Sequence, residues 1–238
     1  MKENKLPRAS LLQGSWIEYW VRALAPLLIY VLSSYGLLAL VPIAVDFGDN
    51  VTDVLAWGEI TICIAFVFWY GKVSFEWTND LGHLSWREVI AVSIFATCLC
   101  LLNVWVSQTF NTQDAVELTP MVFVGMIIAA PVLEEIVFRG FLFTRLVRLI
   151  DVPGAMILSS LAFAFGHTGA MHIVCAFIVG MALSVLLLRF RTLWVPVIAH
   201  ILLNLTAYLG MYFEVTAVFA LICLGLVVAS GWWLYKTR

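Results

Sequence analysis

Apolar runs of roughly twenty residues follow one another along almost the whole chain, and nothing else in the sequence constrains the fold as strongly. Coiled as an α-helix, a run of that length spans the ~30 Å hydrocarbon core of a bilayer. A membrane barrel strand would need only about ten residues of alternating character. Apolar residues make up 63% of the 238 and charged residues 12%, against roughly 45–50% and 25% in soluble domains. A chain of this size cannot cover that much apolar surface in water. Disorder is excluded by the same numbers, and a net charge of −2 gives no basis for nucleic-acid binding.

The runs predict an all-α, polytopic bundle of about eight transmembrane helices, at 22–44, 54–72, 88–108, 120–143, 153–170, 172–189, 192–211 and 213–235. Polar punctuation separates them: Asp46 to Asn50, Glu76 to Gly82, Asn111 to Glu117, and Asp151-Val152-Pro153. Five cysteines, an odd number, all fall inside apolar runs and read as small buried hydrophobes. The first run lacks the short apolar core and small-residue exit of a cleavable signal peptide. The polar chemistry concentrates between Glu134 and Asn204. That divides the chain into N-terminal helices (1–119), a functional core (120–211) and a last helix (212–238).

Lysine and arginine fix the expected orientation. Lys2, Lys5, Arg8 and Arg22 precede or open the first span. Lys72 and Arg87 flank the second loop, Arg145 and Arg148 the fourth, Arg189 and Arg191 the sixth, and Lys236 and Arg238 close the chain. With Arg139 near the inner end of its span, all 13 basic residues fall on one side of an eight-span arrangement. Asp46, Asp49, Asp53, Asp114, Glu117 and Glu214 occupy the other side. The bias places both termini in the cytoplasm.

The fourth span contains Pro131-Val132-Leu133-Glu134-Glu135-Ile136-Val137-Phe138-Arg139-Gly140. An ionisable group at the bilayer centre costs about 2.5–3.5 kcal/mol on insertion scales, so three in six residues need a reason. Glu135 and Arg139 stand four apart with the acid first, the favourable order for an ion pair. That pairing leaves Glu134, about 100° around the helix, without its own cation and free to act as a general base. Pro131 is expected to free a backbone carbonyl and bend the helix beside it. Phe163 and His167 are four apart at the end of the fifth span, as are His200 and Asn204 in the seventh. A carboxylate, two imidazoles and an amide meeting in a bundle can bind a water or a metal.

Plainer readings stand beside each of these. Glu135 and Arg139 could be a buried clamp between helices. His167 and Asn204 could be interhelical hydrogen-bonding groups. His172 reads best as facing water near a helix boundary, and Glu59 is a weaker site candidate with no obvious partner. The marks of other membrane proteases are missing from the sequence: there is no HExxH, no GxSG and no pair of intramembrane aspartates. A hydrolase built from these residues would have to use glutamate and histidine.

Glu134-Glu135-x-x-x-Arg139, Phe163-x-x-x-His167 and His200-x-x-x-Asn204, in this order on successive helices, resemble the CPBP family. This is the CAAX-protease and bacteriocin-processing group, which includes the Ras-converting CAAX prenyl endopeptidase. The resemblance covers roughly 131–207 and extends to Phe138-Arg139-Gly140-Phe141-Leu142 and Leu193-Trp194. It implies a glutamic-type intramembrane endopeptidase with no required metal or other cofactor. In that scheme Glu134 activates water together with His167, His200 and Asn204 stabilise the oxyanion, and Glu135, Arg139 and Phe163 support the site. Two features depart from the family pattern. Gly180 is followed by Ser184 rather than a second glycine, and the turn Arg189-Phe190-Arg191-Thr192 is bulkier and more basic than the usual glycine-containing one.

The expected partners are a protein or peptide substrate reached in or at the membrane, and the lipid bilayer itself. The chain reads as a multi-pass protein of a prokaryotic cytoplasmic membrane. Three competing readings use the same residues. One is a non-catalytic membrane scaffold or bacteriocin self-immunity protein. Another is a proton-coupled carrier, which should show inverted-repeat symmetry that the sequence lacks. The last is a metal-dependent protease liganded by Glu134, His167 and His200, which a chelator would inhibit. His167 and His200 also fall at different depths in the spans as drawn, so their helices must be tilted or broken for them to meet.

Overall fold

A computed structural model describes residues 16–44, 51–72, 85–110 and 119–237. The separators Asp46 to Asn50, Glu76 to Gly82 and Asn111 to Glu117 lie outside the described residues, as do Lys2, Lys5, Arg8 and Arg238. The described residues form eight helices: α1 (Trp16–Ala44), α2 (Val51–Lys72), α3 (Trp86–Thr109), α4 (Pro120–Leu149), α5 (Val152–Ala164), α6 (Ala170–Phe190), α7 (Trp194–Leu209) and α8 (Ala217–Lys236). The chain is a polytopic helical bundle. Six of these helices are long and apolar enough to cross a membrane on their own: α2, α3, α4, α6, α8, and α7 with the turn that follows it.

Local sequence explains where the helices begin. Ser85 caps α3 and exchanges hydrogen bonds with Glu88 in a capping box. Thr119 caps α4 with Pro120 in the first turn, Asp151 caps α5 with Pro153 in its first turn, and Thr216 caps α8. Asp53 falls in the first turn of α2 rather than before it. It accepts a hydrogen bond from Thr119, which ties the start of α2 to the start of α4.

Polarity is inverted relative to a soluble protein. Phe68, Val218, Leu221 and Val228 point outward, while Glu135 and Arg139 are fully buried and His200 nearly so. With lipid as solvent, apolar side chains have no reason to hide, and charged ones must find partners inside.

Two departures from the sequence expectation shape the core. The fifth span, expected at 153–170, stops at Ala164, and its 13 residues reach only about 20 Å. Helix α4 is not uniformly α-helical. Its turns widen to π-helix at Val124–Ala129 and again at Glu135–Phe143, on either side of the short α segment Ala130–Glu134. Pro131 is the second residue of that segment, and Ala130, its first, bonds back five residues to the carbonyl of Gly125. The expected disturbance at Pro131 therefore takes the form of a wide turn just before it. Such π turns recur at functional sites because they rotate the following side chains out of α register.

Glycines set the closest approaches. A Cβ at Gly180 on α6 would stand 3.0 Å from the Ser160 Cβ on α5 and 3.2 Å from an Arg139 guanidinium nitrogen. Ser184 spends its hydroxyl on the Gly180 carbonyl, so the small pair packs α6 closely against its neighbours. At the end of α6, Arg191 takes a left-handed conformation with φ of 58°. This is a backbone shape that glycine normally supplies, so the bulkier turn still follows a glycine-like path.

Candidate active site

The centre of the bundle is organised around the Glu135 carboxylate. Its Oε1 accepts a hydrogen bond from Arg139 Nη1 at 2.9 Å, so the pair expected from four-residue spacing forms. It does so within a π-helical stretch, where residues four apart still share a face. The same oxygen lies 2.9 Å from Nδ1 of His200 on α7. Since a carboxylate can only accept, Nδ1 carries the proton of that bond. Arg139 also donates from Nη2 to the Gly180 carbonyl at 3.1 Å and lies over the Phe163 ring at 4.6 Å. One buried ion pair thus joins α4, α5, α6 and α7. Burying it is tolerable because each charge has a partner.

Glu134 occupies a different environment. Its side chain keeps 18% of its surface while that of Glu135 has none. Its Oε2 faces His200 Nε2 at 3.6 Å, and its Oε1 faces the Tyr30 hydroxyl on α1 at 3.5 Å. His200 therefore stands between the two glutamates, hydrogen-bonded to the sealed one and turned toward the accessible one. Glu59 on α2 is close enough to interact electrostatically with both Glu134 and Tyr30.

His167 reaches this region by an unexpected path. It lies beyond the end of α5, in a turn closed by Gly166 N–H to the Phe163 carbonyl and His167 N–H to the Ala164 carbonyl. Its Nδ1 donates to the Phe163 carbonyl at 3.1 Å and its ring rests 4.9 Å from the Phe163 ring. The predicted Phe163–His167 neighbourhood is present although the helix has ended. Phe163 in turn lies 5.6 Å from the His200 ring, edge to face. A short α5 with its histidine folded back brings both imidazoles against one phenyl ring, and this resolves the mismatch in depth. Among the described residues His167 makes no hydrogen bond or ion pair with Glu134.

Asn204 lies one turn beyond His200 on α7 and donates from Nδ2 to the Met126 carbonyl at 2.9 Å. That acceptor belongs to the first π-helical stretch of α4. His172 bonds its own Nδ1 to the Thr168 carbonyl and stands apart from the cluster. Tyr30 is the contact that sequence reasoning missed. It lies 104 residues from Glu134, and an apolar helix that carries three tyrosines gives no signal for which of them meets the site.

Residues 116–206 match the family described as type II CAAX prenyl endopeptidase Rce1-like. The CAAX-protease resemblance holds for this core. Glu134, Glu135, Arg139, Phe163, His167, His200 and Asn204 all lie within the matched stretch, whereas Tyr30 and Glu59 lie outside it. The chain is also 31% identical over 100 residues to the candidate membrane peptidase YdiL of Bacillus subtilis (strain 168). That alignment covers 41% of this chain and 41% of YdiL. No solved structure matches the chain.

Proposed function

We propose that the protein is an intramembrane endopeptidase of the glutamic type, with Glu134 as general base. The observation that carries this reading is the contrast between adjacent carboxylates. Glu135 is sealed and bound to Arg139 and His200, while Glu134 keeps 18% of its side-chain surface open. Glu134 takes a proton from a water as that water attacks the scissile carbonyl carbon, and later delivers it to the leaving amine. His167 accepts a hydrogen bond from the same water through Nε2, the nitrogen left free when Nδ1 donates to Phe163.

With its Nδ1–H held on Glu135, His200 is assigned the role of donating from Nε2 to the oxyanion. Asn204, one turn along the same helix, supplies the second oxyanion donor when its amide leaves Met126. Donors fixed in a water-poor site act on the charge that develops in the transition state. Glu135 and Arg139 hold the imidazole in register. The substrate is a protein or peptide segment presented in or at the membrane, and its hydrolysis needs no group beyond these side chains and water.

The test compares peptide termini in membranes and secreted material from cells carrying wild type, Glu134→Gln or a deletion. A defined set of termini should vanish in both Glu134→Gln and the deletion. If the termini persist in Glu134→Gln while the deletion still shows a defect, the scaffold or self-immunity reading replaces proteolysis. Cleavage that a chelator stops would favour the metal-dependent reading.

A further inference from the structure

We infer that Tyr30, on the first helix and outside the family-matched core, positions the general base. This rests on the assignment of Glu134 as that base. The Tyr30 hydroxyl and His200 Nε2 approach different oxygens of the Glu134 carboxylate, Oε1 at 3.5 Å and Oε2 at 3.6 Å. The carboxylate is therefore addressed from two elements, α1 and α7, that are far apart in the chain. A phenol donating to Oε1 orients the group and leaves Oε2, on the histidine side, as the oxygen that takes the proton from water. A long approach of this kind tightens as the catalytic complex closes.

The ring of Tyr30 is anchored independently of its hydroxyl. It packs edge to face on Phe138 at 5.6 Å, and Phe138 packs in the same manner on Phe163 at 5.4 Å. A second tyrosine on the same helix supports the assignment. Tyr35 donates to the Gly166 carbonyl at 3.3 Å, in the turn that carries His167. Helix α1 thus touches both members of the water-activating pair, the base through Tyr30 and the histidine turn through Tyr35. The segment resembling the family is in this respect incomplete without α1.

The separation of ring from hydroxyl makes the inference testable with Tyr30→Phe, which keeps the packing on Phe138 and deletes only the donor. The probe is a quenched-fluorescence peptide spanning one of the cut sites lost in Glu134→Gln cells, assayed on the full chain in lipid nanodiscs. Tyr30→Phe should lower kcat by roughly tenfold or more, as loss of a hydrogen bond to a charged group does, with KM within about twofold and an unchanged unfolding temperature. Tyr35→Phe should lower kcat as well, through the His167 turn. A Tyr30→Phe kcat equal to wild type overturns the inference while leaving Glu134 as the base. A fall in kcat that comes with a matching loss of thermal stability makes Tyr30 a packing residue and overturns it too. If no cut site depends on Glu134, the proposed activity and this inference fail together.

Discussion

At the scale of the residue, two neighbouring glutamates with the same chemistry are given opposite tasks by what surrounds them. Glu135 has no accessible surface, and its Oε1 serves both Arg139 and His200 at 2.9 Å. Removing one partner of a buried ion pair leaves the other charge uncompensated and costs about 3–5 kcal/mol. Arg139→Met should therefore destabilise the protein strongly, by thermal unfolding in detergent, and Glu135→Gln should do so as well. The double variant should lose much less than the sum, because neither charge is then left alone. Strict additivity would mean that the contact contributes nothing as a pair. The Glu135–Arg139 contact was legible in the sequence, since four-residue spacing keeps two side chains on one face. The role of His200 as the bridge between the glutamates was not, because it depends on a contact across 65 residues. The same limit hid Tyr30.

At the scale of the element, the sequence announces helices well and their interruptions poorly. Caps such as Ser85, Thr119, Asp151 and Thr216 are read directly from residue type. The end of α5 at Ala164 is not, since Phe163-Ala164-Phe165-Gly166 continues the apolar run across the break. The π-helical turns of α4 are equally silent. The first, Val124–Ala129, is apolar on every face and carries no periodicity to betray a change of pitch. In the second, the four-residue spacing of Glu135 and Arg139 is one that an α-helix would show as well. Close packing between elements is more predictable, and Gly180 tests it. Gly180→Val should drive side-chain atoms into Ser160 on α5 and against the Arg139 guanidinium, and overpacking of this kind costs about 1–3 kcal/mol. Cleavage should fall further than stability does, because displacing Arg139 also disturbs Glu135 and His200. Gly225 on α8 has nothing within 4 Å of an added Cβ, and Gly225→Val serves as the silent control. Equal losses in the two variants would refute the claim that α6 is pressed against the ion pair.

At the scale of the whole molecule, hydrogen bonds between helix ends report which termini lie together. Arg189 at the end of α6 donates to Glu88 at the start of α3 and to the carbonyls of Leu234 and Thr237 at the end of α8. At the opposite pole, Gln108 at the end of α3 binds Gly210, Phe213 and Val215 between α7 and α8. Among the described residues these contacts group the start of α3 with the ends of α6 and α8, and the end of α3 with the turn between α7 and α8, the alternation expected for these four helices. If basic residues mark the cytoplasmic face, the pole containing Arg189 and Lys236 is cytoplasmic, and the turn around Glu214 faces outward. A reporter active only outside the cytoplasm should be silent after Arg238 and active when inserted at Glu214. The opposite pattern would invert the molecule. The result bears on chemistry as well as topology. His200 is the seventh residue of α7, which starts at the basic pole, so it lies only about 9 Å along that helix. Glu134, the fifteenth of the thirty residues of α4, stands midway along its helix. The candidate site therefore lies between mid-depth and the basic pole, and cytoplasmic placement of that pole puts cleavage at the bilayer midplane or on its cytoplasmic side. Substrates should then be cut between the middle of their membrane segment and its cytoplasmic boundary, a position readable from the same termini that vanish in Glu134→Gln cells.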